Sequence, residues 1–382
     1  MHHSIPAFNR AEILRELDDS VIIPTHSAIA PLVLAYSVAV PLFPFDGPMS
    51  LSTGSLFGEY RVRRRLGAGG IATVYAVQHR RHGTWHALKV LQHGHHGRRA
   101  HLLREAELQS EIGGPIVPVE VVIDLHGYVG NLMPLVEGCS LFQLTSRHRT
   151  TPGEAMTLFF GLVRCVDRAH CASVVHNDLK PSNVLLTTSP SFEVRLVDFG
   201  LALRVGELAP AGFAGTPAYA SPERLGGSMV PSKAGDLWSL GVILYELLAG
   251  YRPFAPTDLA GMRAAVLEAV DLDPIPDVLQ PVLAALLEPV PEFRLSCTAE
   301  LLDALEHIED TSSADPTRPR LALREDVSTD LARIVAEAAA QLIAKVPEAG
   351  VTMFPEAAAD DDDRLPSDQG PHPHEETLAA NP

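Results

Sequence analysis

The chain has 382 residues, more than the about 100–200 of a usual single domain, so it holds either one large bilobal domain with appendages or two domains. Its 46% hydrophobic and 20% charged residues, at a mean hydropathy of +0.10, suffice for a large core and exclude a wholly disordered chain. With 47 acidic against 30 basic residues the formal net charge is −17, which excludes a general electrostatic hold on nucleic acid or anionic lipid; any polyanion must be gripped locally.

Residues 1–56 read as an N-terminal extension of unassigned role, with an amphipathic helix signal at Ala11–Leu17 followed by an uncharged run, Ser27–Phe45. That run approaches the ~20 residues of a membrane span, but Pro31, Pro41 and Pro44 interrupt it and no positive flank precedes it, so no membrane role is expected. A packing extension, a regulatory arm and an upstream reading from a working start at Met49 all fit these residues. Cys139, Cys165, Cys171 and Cys297 form no C-x-x-C pair and no Cys/His zinc spacing, which predicts reduced thiols in a cytoplasmic protein.

From Tyr60 to about Val90 the pattern turns to β-branched, alternating residues separated by glycines, predicting antiparallel strands at Tyr60–Leu66, Thr73–Gln78 and Thr84–Leu91. Between the first two lies Gly67-Ala68-Gly69-Gly70-Ile71-Ala72-Thr73-Val74, where glycines let backbone N–H groups approach phosphate oxygens with no Cβ in the way. An ordinary hairpin turn fits the same residues. No helix signal follows, Ala72 stands where a third glycine would, and no G-K-[ST] appears, so the dinucleotide fingerprint and the P-loop are both excluded. Lys89 sits among apolar neighbours in His86-Ala87-Leu88-Lys89-Val90, and Glu105 lies on a predicted helix. Taken singly, the first reads equally as a snorkelling lysine and the second as a solvated helix charge.

From Pro152 onward apolar residues recur at helical spacing, as in Glu154–Ala169 and Asp236–Leu248, and Glu300–Glu309 makes a last compact helix. Strands first and helices after them predict an α+β chain or two lobes of different class rather than a doubly wound sheet. Residues 311–382 change composition again: Leu321–Lys345 reads as an Ala-rich helix that docks on the body or binds a partner, and Asp360–Asp363 opens an acidic, solvated tail.

The most specific constellation is Val175-His176-Asn177-Asp178-Leu179-Lys180-Pro181-Ser182-Asn183-Val184, followed by Val197-Asp198-Phe199-Gly200. Asp178-x-Lys180-x-x-Asn183 followed by Asp198-Phe199-Gly200 resembles the catalytic loop and metal-binding motif of the eukaryotic-type protein kinase family, and more narrowly its bacterial Ser/Thr branch. Gly215-Thr216-Pro217-Ala218-Tyr219-Ala220-Ser221-Pro222-Glu223, Asp236 and Arg294 extend the resemblance, which runs from about Phe57 to Asp310. It implies a bilobal α+β fold: a β-rich small lobe and hinge at 57–136 and a mainly helical large lobe at 137–310.

The resemblance also implies a role for each matching residue. Lys89, held by Glu105, would grip the α- and β-phosphates of ATP. Asp198 and Asn183 would ligate Mg2+, a hard cation suited to oxygen ligands. Asp178 would orient the acceptor hydroxyl and take its proton, with Lys180 steadying the phosphate and Thr216 helping to position a Ser or Thr hydroxyl. Leu66, Gly67, Ala68, Gly69, Gly70, Val74 and Ala87 would surround the nucleotide. Met133-Pro134-Leu135-Val136 would form the hinge, with Met133 as gatekeeper and the backbone of Pro134 and Val136 reading adenine. Glu223 and Arg294 would form a buried ion pair, and Asp236 would brace the catalytic loop. The implied partners are ATP and a protein substrate, and no residue pattern specifies an oligomeric state.

Four features depart from the family pattern. Asn177 replaces the arginine that usually precedes the catalytic aspartate, and Leu201–Gly215 contains no Ser, Thr or Tyr, so a kinase that works without activation-segment phosphorylation is expected. Ala72 would stiffen the loop over the phosphates. His93, His95, His96 and His101 cluster between Lys89 and Glu105, either as a polar loop or as a metal or pH sensor. Two rival readings remain at this level: a pseudokinase or scaffold without turnover, and a small-molecule kinase, against which the Gly215–Glu223 platform argues.

Overall fold

A computed structural model describes residues 51–68, 72–91, 99–125, 128–188, 191–209, 212–256, 258–314 and 329–344. Ala11–Leu17, Ser27–Phe45, Gly69, Gly70, His93, His95, His96 and Asp360–Asp363 lie outside the described residues. The fold is bilobal, β-rich first and helical after.

The small lobe is built on a six-stranded antiparallel sheet of β1 (Leu56–Phe57), β2 (Tyr60–Ala68), β3 (Ala72–His79), β4 (Trp85–Leu91), β5 (Val121–Leu125) and β6 (Tyr128–Pro134), in the order β1-β2-β3-β4-β6-β5. Strand alternation gives the sheet two apolar faces. Leu88 and Val90 of β4 join Phe57, Val62, Tyr75 and Val77 on one face, whereas Ala87 and Leu91 join Leu102, Ala106, Val122 and Met133 on the other. Lys89 therefore shares its face with the residues that meet helix α1 (Arg99–Ile112). The buried stripe of α1 is Leu102, Glu105, Ala106, Leu108, Gln109 and Ile112, so a carboxylate sits in the middle of its apolar face. Asn131, fully buried on β6, donates from Nδ2 to Leu102 O at 3.0 Å and fixes α1 to the sheet.

The chain leaves the sheet through Leu135–Glu137 into β7 (Gly138–Ser140) and the short α2 (Leu141–Thr145). β7 crosses β9 (Val184–Thr187) so closely that a Cβ on Gly138 would lie 1.7 Å from Leu186 O, which only glycine permits. β10 (Glu193–Leu196) completes that three-stranded sheet. The helical lobe centres on α3 (Pro152–Cys171) and α5 (Lys233–Ala249). Helix α3 starts at a capping box in which Thr151 and Glu154 satisfy each other's N–H groups. Helix α5 is buried on almost every side, as its near-continuous apolar sequence requires. Around them pack α4 (Pro222–Leu225), α6 (Leu259–Ala265), α7 (Gln280–Leu286) and α8 (Thr298–Ala314). The last of these is longer than the expected Glu300–Glu309: Thr298 Oγ1 donates to Asp167 Oδ1 at 2.7 Å and anchors an earlier start.

Arg294 and Glu223 join these helices in a two-pronged ion pair, Nη1–Oε1 3.0 Å and Nη2–Oε2 3.1 Å. The guanidinium also donates to the carbonyls of Ala234, Glu288 and Pro289 and lies over the Trp238 ring at 5.1 Å, so its burial costs no unpaired donor. Helix α9 (Thr329–Ala344) packs against β7 and β9. Leu331 and Val335, at i and i+4, are fully buried in the core of the helical lobe, so residues 329–344 of the expected Ala-rich helix dock on the body, the rest of it lying outside the described residues. Leu331→Ala is expected to lower the unfolding free energy by about 2–5 kcal/mol, the usual cost of a buried Leu-to-Ala cavity, as read by urea denaturation.

Candidate active site

Three charged side chains from three elements meet between the lobes. Lys89 Nζ donates to both oxygens of Glu105 at 2.7 Å each and to Asp198 Oδ1 at 2.7 Å. Burial works against the Lys89 ammonium, but Glu105 and Asp198 more than reverse it and hold the group well above the ordinary lysine range. Burial pushes the Glu105 carboxyl up to about 6 in spite of Lys89, with the Asp198 charge adding to the rise. A Cβ on Gly200 would stand 3.3 Å from Asp198 Oδ1 and 3.4 Å from Lys89 Nζ, so the glycine after Phe199 leaves room for the charges to close. Phe199 is buried and its ring lies 4.7 Å from that of His176, which ties Asp198 to the loop opposite.

That loop follows β8 (Val174–Val175). Its backbone is held by Asp236 at the start of α5, a buried carboxylate that accepts from His176 N at 2.8 Å, Asn177 N at 2.9 Å and His170 Nε2 at 2.9 Å. His176 accepts from Asp178 N on Nδ1 at 3.3 Å and donates from Nε2 to Val197 O at 3.2 Å, linking the loop to the residue before Asp198. Asn177 has φ 64°, a left-handed conformation that asparagine tolerates better than most residues. The Asp178 carboxylate is bound on both sides: Oδ1 accepts from Thr216 N at 2.9 Å and Oδ2 from Lys180 Nζ at 2.6 Å. Lys180 Nζ also donates to Thr216 Oγ1 at 3.0 Å, so Asp178, Lys180 and Thr216 close a triangle across the cleft floor.

An oriented carboxylate with an ammonium beside it, facing a lysine held by two further carboxylates, matches what phosphoryl transfer requires. The sequence also matches the family model for the protein kinase domain over residues 60–306. The chain belongs to the protein kinase family. It is 36% identical over 211 residues to CBL-interacting protein kinase 12 of Oryza sativa subsp. japonica, covering 53% of this chain and 39% of that protein. It is 35% identical over 226 residues to serine/threonine-protein kinase PknJ of Mycobacterium tuberculosis, covering 56% of this chain and 37% of that one. With serine/threonine-protein kinase pkn2 of Myxococcus xanthus it shares 36% identity over 210 residues, 52% of this chain and 25% of that one. The chain thus spans between a quarter and about two fifths of the length of these relatives.

The described residues expected around a nucleotide lie on neighbouring strands of the small-lobe sheet and in the segment that follows it. Leu66, Gly67 and Ala68 end β2, and Val74 of β3 pairs with both Gly67 and Lys89 in register. Ala87 of β4 lies opposite Met133 of β6, and His86 opposite Pro134. Leu66, Val74, Ala87 and Val136 are only half-buried, which leaves an apolar lining open to the cleft. Asn183 ends the single helical turn Pro181–Asn183, and its Nδ2 donates to Asp178 O at 3.0 Å, leaving the amide oxygen as the atom available to a cation. Among the described residues no three His, Cys, Asp or Glu side chains gather to hold a metal by themselves. Asp198 and Asn183 supply two hard oxygens, a set that fits Mg2+ completed by water and phosphate. His101 is exposed on α1.

His170 and Asn131 carry no motif of their own; each is a buried polar residue whose partner is distant in sequence. Asp236→Asn leaves one acceptor oxygen for three donors. It is expected to lower stability by about 1–3 kcal/mol and to deprotect the His176 and Asn177 amides in hydrogen exchange.

Proposed function

We propose that this chain is an ATP- and Mg2+-dependent protein kinase that transfers the γ-phosphate to Ser or Thr hydroxyls of a protein substrate and needs no phosphate on its activation segment. The observation that carries the reading is the Asp178–Lys180–Thr216 triangle facing the Lys89–Glu105–Asp198 cluster. Phosphoryl transfer asks little covalent chemistry of the protein; it asks for alignment and for charge placed on the phosphate oxygens.

Asp178 orients the acceptor hydroxyl and takes its proton. Thr216, held by the same carboxylate and by Lys180, shapes the place of a small aliphatic hydroxyl. Lys180 keeps one donor beyond those given to Asp178 and Thr216, and that donor meets the transferring phosphate. Lys89 turns from Asp198 toward the α- and β-phosphates while Glu105 keeps it in place. Asp198 and Asn183 would hold Mg2+, which supplies neutralisation of charge on the phosphate oxygens when bound. Leu66, Val74, Ala87, Met133 and Val136 enclose the adenine, the backbone of Pro134 and Val136 reads its edge, and Gly67, Ala68, Gly69 and Gly70 cover the phosphates.

The catalytic unit in this reading is residues 57–310, with the small lobe and hinge at 57–136. No phosphorylatable residue exists between Leu201 and Gly215, and Asn177 offers no cation to a phosphate there. A cytoplasmic place of action accords with four unpaired cysteines, and among the described residues no helix is long and apolar enough to cross a membrane.

Asp178→Asn is expected to lower autophosphorylation and peptide phosphorylation by about 10²–10⁴-fold, the usual contribution of a positioned base. Equal incorporation of labelled phosphate by variant and wild type would refute the catalytic assignment of Asp178, and no incorporation by the wild type would leave a nucleotide-binding scaffold. Phosphatase treatment of the purified protein is expected to leave the initial rate unchanged, and a loss mapped by mass spectrometry to a phosphate on Thr216 would refute control-free activity.

A further inference from the structure

The segment after Gly200 carries no phosphate acceptor before Thr216, yet it is tied by charge to helix α1. Glu207 Oε2 accepts from Arg104 Nη2 and from Arg204 N, the latter at 2.8 Å. Arg204 Nη2 in turn reaches Glu111 Oε2 at 2.6 Å and Glu107 Oε1 at 3.6 Å. Arg104, Glu107 and Glu111 stand at i, i+3 and i+7 and so share one face of α1. Arg204 belongs to β11 (Leu203–Arg204), which pairs with β8 in the register Arg204↔Val174, and β8 runs directly into His176–Asp178. Three ion pairs, one with the cation on α1 and two with the anion there, thus join α1 to the strand Leu203–Arg204 and the turn after it.

We propose that Glu207, Arg104 and Arg204 are positioning residues that form a built-in charge clamp and hold helix α1, hence Glu105, against Lys89. Arg104 precedes Glu105 directly, so the pull on one side chain fixes the rotation and height of the next. In this arrangement the carboxylate of Glu207 provides the fixed negative charge that a phosphate added to the segment would otherwise provide. The clamp rests on the kinase reading above and adds to it the reason the segment works unmodified.

The partners are roughly one-third to one-half exposed, and an exposed pair at the upper end of its range changes an equilibrium about fivefold. The test is a double-mutant cycle in the full chain with a Ser/Thr peptide: Glu207→Gln, Arg104→Gln and both together. The Glu207→Gln change keeps an acceptor for Arg204 N–H and removes only the charge. Each single variant is expected to lose about fivefold in kcat/KM for ATP with the KM for peptide unchanged, and the double variant to lose no more than either single. Raising salt from about 0.05 to about 0.5 M should lower wild type more than the variants, which keep only the Arg204 pairs, because exposed pairs are screened. Arg204→Gln with Glu111→Gln gives a second, independent cycle should the first pair fail to fold. Unchanged kcat/KM for ATP, losses that multiply in the double variants, or a loss confined to peptide KM would each overturn the clamp. A wild type that phosphorylates nothing would overturn the kinase reading instead.

Discussion

The Lys89 ammonium is buried between two carboxylates, and the rest of the molecule is arranged around that fact. A lone buried charge costs several kcal/mol, so β4 cannot present Lys89 on its inner face unless α1 brings Glu105 to the same depth. That demand places a carboxylate on the apolar stripe of α1 and puts Asn131 beneath the helix to fix it to the sheet. Asp198 arrives from the other lobe. One ammonium shared by two acids leaves a net negative site, which a cation held by Asp198 would neutralise.

The cleft floor uses two aspartates in contrasting ways, and their surroundings tell them apart. Asp236 is fully buried and takes three donors, two of them backbone N–H groups, so it lies out of reach of a reacting group and serves to shape the loop. Asp178 holds one backbone N–H and one ammonium at the edge of the cleft. Its lysine partner swings on four carbons and can trade a contact for a substrate without leaving a charge stranded. Rigidity behind and exchangeable partners in front suit Asp178 to the proton-accepting role proposed for it.

What the sequence made legible follows the range of the contacts. Asp178, Lys180 and Asn183 fall within six residues and Asp198 fifteen further on, so a linear pattern carries them. The strands and the two central helices were equally plain, because period-2 and period-3.6 patterns are local. Lys89 and Glu105 became informative only as a pair; alone, each looked like a solvated charge. His170 meeting Asp236 across 66 positions, or Arg104 meeting Glu207 across 103, leaves no trace in either local pattern. The C-terminal helix shows the same limit differently: Leu331 and Val335 announce an apolar face, but the Ala-rich pattern says nothing of what covers it until β7 and β9 are seen beneath.

Asn177 shows how coupling is redistributed within this fold. An arginine there would place a charge between the catalytic loop and the activation segment. Asn177 instead takes a left-handed backbone and donates from Nδ2 to Leu201 O at 3.3 Å, a neutral contact to the first turn of the segment. The charged contacts of the segment run upward to α1 through Arg104, Arg204 and Glu207. Under the proposed clamp a shift of the segment would reach Glu105 through Glu207 and Arg104, while its contact with Asp178 is carried separately by Thr216. Because the joining pairs are exposed and individually weak, the coupling is adjustable by salt or by a competing charge, whereas the buried contacts of Asp236 keep the catalytic loop fixed.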